Sequence, residues 1–115
     1  MKPSYNAEYI KGFVMGQKDR LRLRCLDPDY IITLVAEADF LIEHDTDTDC
    51  MKYITETYVE KISKHFHLGL NVKKFVNTLY DIWSDVEGFR EIAIQAIGTV
   101  VIAGCTGDYP LITNQ

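Results

Sequence analysis

Hydrophobic positions recur along the chain at helical spacing, in five segments separated by short polar connections. The first begins at Ser4 or Asn6, either of which suits an N-cap, and runs to about Arg24 with Ile10, Phe13, Val14 and Leu21 on its core face. Gly12 and Gly16 interrupt it, each costing about 1 kcal/mol against alanine in a helix interior. The pattern therefore predicts either another helix packed closely against them or a bend at that point. The second segment opens at Asp27-Pro28, where the carboxylate caps free amides and proline lacks only a donor that had no partner. Ile31, Leu34, Val35, Ala38, Leu41 and Ile42 then trace one face, which fades at Glu43-His44.

After the polar stretch Asp45 to Asp49, a third helix is predicted with Met51, Ile54, Tyr58, Ile62 and Phe66 inward and Gly69 as its stop. Lys52, Glu56, Glu60 and Lys64 follow at four-residue steps and form a solvated stripe on its other side. Asn71 caps a fourth helix whose Val72, Phe75, Val76, Leu79, Ile82 and Trp83 form an apolar face. Ser84 to Glu87 reads as a capping box that opens a fifth helix, about Asp85 to Ala103. That helix is rich in Ile and Ala on every side, so it is either central or an interface between copies. Gly104 to Gln115 reads as an irregular tail. Two short stretches compete as strands: β-branched Val100-Val101-Ile102, and Arg20 to Arg24 with its period of two. Five amphipathic segments still predict an all-α fold, a compact bundle of four to five helices forming one domain over residues 1–115.

Charge changes this picture because it is unevenly spread. Residues 1–26 sum to +4, residues 27–60 to -9 and residues 61–115 to zero, giving the total of -5. The acidic middle exceeds what the basic N-terminal part can neutralise, so an acidic surface is expected. A net negative chain disfavours nonspecific binding to nucleic acid or to an anionic membrane. The longest apolar run, Ile92 to Ala103, is shorter than the ~20 residues that span a bilayer. Three cysteines without CxxC spacing, and no basic-then-apolar leader pattern, fit a reducing cytoplasmic setting. Lys18, Arg20, Arg22 and Arg24 are a basic cluster at the end of the first segment, where local pairing with Asp27 and Asp29 is expected.

Among chemical motifs, Asp45, Asp47 and Asp49, with Glu56 eleven residues after Asp45, resemble an EF-hand calcium loop. The resemblance spans twelve residues and departs at Cys50, which stands where the loop has its turn glycine, and at Lys52, which stands at an apolar position. His44, His65 and His67 with Cys50 lack a ligand spacing diagnostic of zinc. No GxSxG, P-loop or GxGxxG occurs, and no cofactor is implied. The expectation is a small cytoplasmic, non-enzymatic interaction module, an inhibitor or adaptor, presenting Asp45, Asp47, Asp49 and Glu56 to a basic protein partner. The alternatives are a ligand- or metal-dependent module using those same four residues, and an oligomeric helical enzyme with sites between chains.

Overall fold

A computed structural model describes residues 5–45 and 47–108 of the chain. Six helices are present in chain order: α1 (Ala7–Gly16), α2 (Lys18–Leu23), α3 (Pro28–His44), α4 (Thr48–Phe66), α5 (Val72–Trp83) and α6 (Phe89–Thr106). The fold is all-α as expected, with one helix more than the pattern predicted, and no strand occurs among the described residues. Both candidate strands are helical, Arg20–Leu23 in α2 and Val100–Ile102 in α6. Burial of the three β-branched side chains in the bundle centre outweighs their weak helix propensity.

The extra helix comes from the first segment, which breaks at Gln17. Gly12 and Gly16 face open space, so the two glycines mark a bend and no helix packs closely on them. Only Leu21 of α2 is buried, while Leu23 is 86% exposed. Cys25, in the left-handed region with φ 61°, closes α2, and the Leu26 amide donates to the Leu21 carbonyl. α3 starts as predicted: Asp27 accepts from the amides of Asp29 and Tyr30, and Pro28 occupies the first turn.

Further along, three boundaries differ from expectation. α4 ends at Phe66, earlier than the glycine stop, because His67 itself adopts the left-handed conformation and the Leu68 amide bonds to the Ser63 carbonyl. The capping box at Ser84 to Glu87 does not form, since the amides of Val86 and Glu87 both donate to the Trp83 carbonyl in a turn that follows α5. α6 therefore begins at Phe89, with Gly88 as its N-cap and the Glu91 side chain folded back over that glycine. It runs on to Thr106, so the start of the predicted irregular tail is helical; residues 109–115 lie outside the described residues.

α6 is the central helix, touching α1, α3, α4 and α5, with α4 its most extensive neighbour. By length and composition alone it is apolar enough to cross a membrane, yet it is two-thirds buried inside the bundle. Ile92, Ile97, Val100 and Val101 are fully enclosed, each contributing roughly 1.5–3 kcal/mol by burial. The apolar surplus that suggested an interface is thus covered within the chain. Two glycines allow the approach: the Tyr5 ring lies over Gly98, and the Phe66 ring over Gly104. The buried amide of Gln95 holds Tyr5 by both its backbone groups, accepting from the Tyr5 amide at 2.8 Å and donating to its carbonyl at 2.9 Å. Two apolar positions assigned to the core are exposed, Ile82 at 62% and Leu41 at 38%, and Phe13, Ile54 and Trp83 are half-buried against its edge. Tyr80 takes the inward position of α5 instead, its hydroxyl 3.1 Å from buried Thr55 of α4.

Candidate functional site

A connection of three residues forces α3 and α4 to run antiparallel as neighbours. This places the C-terminal end of α3 beside the N-terminal end of α4, and it is there that the acidic middle of the sequence gathers. Arg90 donates to the Asp45 carbonyl at 3.4 Å, which brings the start of α6 to the same end. Two shallow hollows flank it, one of about 350 Å³ whose lining includes Asp45, Asp47 and Glu91, the other of about 130 Å³ with Asp39, Glu43 and Glu91, and Arg90 lines both. The Cys50 thiol senses the same field: Asp47 first, then burial, Asp45 and Asp49 push its pKa upward.

The four residues singled out from sequence do not converge on one point. Asp45 accepts from the Asp47 amide at 2.8 Å, and Asp47 accepts from the amides of Asp49 and Cys50. These are N-capping contacts that begin α4 at Thr48. Glu56 stands seven residues beyond Asp49 on that helix, about 10 Å along its axis. An EF-hand wraps a cation in a loop twelve residues long, whereas here helix begins at the fourth of the twelve. Thr46 lies outside the described residues. Among the described residues no group of three or more His, Cys, Asp or Glu side chains is placed to hold a metal ion. The resemblance to a calcium loop is therefore explained by helix capping. The charge stripe on α4 is solvated and paired at its C-terminal end as expected, and partly covered at its start. Lys52 lies over the Tyr80 ring at 5.9 Å, Glu56 is half-buried, and Glu60 pairs with Lys64 at 3.5 Å.

What sequence reasoning missed is a groove along the α3–α4 face, about 460 Å³, lined by Ala36, Glu37, Phe40, Leu41 and Tyr58. Phe40 is 60% exposed and stacks on His44 with ring centroids 4.1 Å apart. His44 is in turn fixed through Nδ1, 2.8 Å from the Phe40 carbonyl. The Tyr58 hydroxyl donates to Glu37 at 3.1 Å, joining the two helices, and burial followed by Glu37 raises the tyrosine pKa. Phe40 and Leu41 differ in angle from the inward row Leu34, Ala38 and Ile42, and that offset was the available signal: the apolar stripe of α3 is wider than one core face requires.

At the opposite end the histidines play separate parts. His65 Nε2 accepts from the Asp27 amide at 3.0 Å, and His67 is the C-cap of α4. Arg24 donates to the carbonyls of Gly104 and Cys105 at the end of α6. The expected pairing of the basic cluster with Asp27 and Asp29 is absent among the described residues.

Comparison with known proteins adds one partial likeness. No family model matches the chain, and no solved structure matches it. Over 74 residues, 64% of its length, the chain is 34% identical to polyketide synthase PksL of Bacillus subtilis (strain 168). Those residues span 2% of the synthase.

Proposed function

We propose that the protein is a non-catalytic helical module that holds a basic, amphipathic helical segment of another protein on its α3–α4 face. The observation that carries this reading is the exposed pair Phe40 and Leu41 beside the groove that reaches Tyr58. A ring 60% exposed, set in a continuous apolar lining, is the kind of anchor around which interfaces form. Glu37 on the groove and the carboxylates of Asp45, Asp47 and Glu91 at the adjoining end, which outnumber Arg90 there, favour positive charge around an apolar stripe. The likeness to a short stretch of a polyketide synthase favours, as a second reading, a partner that is itself such a synthase.

The test uses a synthetic helical peptide with leucines at i, i+3, i+4 and i+7 and lysines elsewhere. Its amide shift perturbations are expected on residues 36–41 and 54–58, weakening with added salt and disappearing in Phe40→Glu with helicity unchanged. Perturbations spread evenly over the acidic surface, or unaltered in Phe40→Glu, would overturn the groove as the site. For the second reading, purified synthase segments replace the peptide and must compete for the same amides.

A further inference from the structure

The two ends of the bundle differ in sign. α3 carries the chain from its basic end to its acidic end, about 25 Å by helical rise, and α4 carries it back. At the basic end the turn from α2 into α3 meets the last turns of α4, and a pocket of about 390 Å³ lies between them. Lys61, Lys64, His65 and His67 line it from α4, with Tyr30 and Cys25 across from them and no carboxylate among the lining residues. Four basic side chains on one pocket are unexpected in a chain of net charge -5.

We propose that this pocket binds a phosphate monoester, a small molecule whose phosphate sits between Lys61, Lys64 and the two histidines. Both ammonium groups are exposed and only loosely held: Lys61 rests over the Tyr58 ring at 5.1 Å, and Lys64, with most of its side chain in solvent, meets Glu60 at 3.5 Å in a surface pair of little strength. His65 is poised as a donor. Because Nε2 accepts from the Asp27 amide, the neutral ring must carry its proton on Nδ1, which has no partner of its own. Two features that would repel an anion are partly offset by hydrogen bonds within the chain. The Asp27 carboxylate is engaged by the first amides of α3, and the carbonyls of Ser63 and Lys64 at the end of α4 accept from Leu68 and His67. A phosphate at neutral pH, carrying about -1.5 to -2 charges, answers two ammonium groups with charge-assisted bonds. Tyr30 and Leu26 supply the apolar wall against which an organic substituent would lie.

The experiment titrates the full chain at constant ionic strength with inorganic phosphate, phenyl phosphate, phenol, and a short single-stranded oligonucleotide, following amide signals at 18–30 and 61–68. The proposal expects saturable shifts there with both phosphates, tighter with phenyl phosphate, and none with phenol. Lys61→Gln combined with Lys64→Gln, which alters exposed side chains only, is expected to weaken phenyl phosphate at least about tenfold. Shifts that never saturate, that are matched by chloride, or that persist in the double variant would overturn it. So would tight oligonucleotide binding centred on Arg20 and Arg22 with the pocket signals unmoved, since that result assigns the basic end to nucleic acid.

Discussion

The imidazole of His65 accepts a hydrogen bond that a protonated ring could not accept, and its pKa lies below the ordinary 6.5 because partial burial outweighs the pull of Asp27. The unfolded chain therefore takes up this proton first as pH falls. Stability from His65 is complete above about pH 6.5 and is lost as pH drops through the lower folded value. Urea midpoints measured between pH 7.5 and 5 are expected to decline, with a shallower decline in His65→Asn; identical slopes would show that the bond contributes nothing. The three thiols separate by the same reasoning. Cys105 is buried, its pKa pushed up to about 11 despite Arg24, whereas Cys25 and Cys50 are exposed. Because the thiolate is the reactive form, iodoacetamide at pH 8 should label Cys25 first, Cys50 more slowly under the influence of Asp47, and Cys105 only on unfolding. Rapid triple labelling of the folded protein, seen by mass spectrometry, would contradict that order.

Among the elements, those with both a cap and a one-sided stripe were legible in the sequence. α3 begins and ends where Asp27-Pro28 and Glu43-His44 placed it, and Asn71 caps α5 as expected. What misled was local chemistry with two possible uses. Ser84 and Glu87 have the spacing of a capping box, but a turn bonded to the Trp83 carbonyl claims that segment first. His67 could replace glycine in the left-handed position because a single such residue costs little when its amide and the next are both bonded. Asp45, Asp47 and Asp49 have the spacing of a calcium loop, but the Asp45 and Asp47 carboxylates accept from amides at the helix start, the Asp49 amide among them. The groove stayed hidden because the widened apolar stripe that includes Phe40 and Leu41 suits a broad core face as well as an exposed one, and only α4 laid beside it separates the two. If capping is the purpose of Asp47, Asp47→Ala should destabilise by about 1 kcal/mol, while Asp47→Asn should be close to neutral since asparagine caps equally well. Millimolar calcium should leave both melting curves and that of the parent unchanged. A calcium-dependent rise of several degrees, removed by Asp47→Asn, would restore the metal reading.

For the whole molecule the decisive fact is that α6 lies at the centre with Ile97 and Val101 fully enclosed. A dimer through that helix would require the bundle to open, so any self-association must use the outside. An apolar feature on that outside is the α3–α4 groove, but a two-fold axis through it would set each copy's Glu37 against the other's and bring two acidic ends close together. Like charges facing across an interface oppose association, the more so at low salt, where the Debye length grows from about 8 Å at 0.15 M to about 30 Å at 0.01 M. Light scattering at tens of micromolar is therefore expected to give the mass of one chain, 13.2 kDa, at both ionic strengths. Phe40→Glu should leave that mass untouched, because on the proposed function the face it alters meets a basic partner and not a second copy. A 26 kDa species, about twice the chain mass, that Phe40→Glu dissociates would show instead that the groove is filled by a second copy. A dimer insensitive to Phe40→Glu but dispersed by salt would place the contact between the acidic end of one copy and the basic end of the next, a heterologous arrangement that must either close into a ring or keep growing.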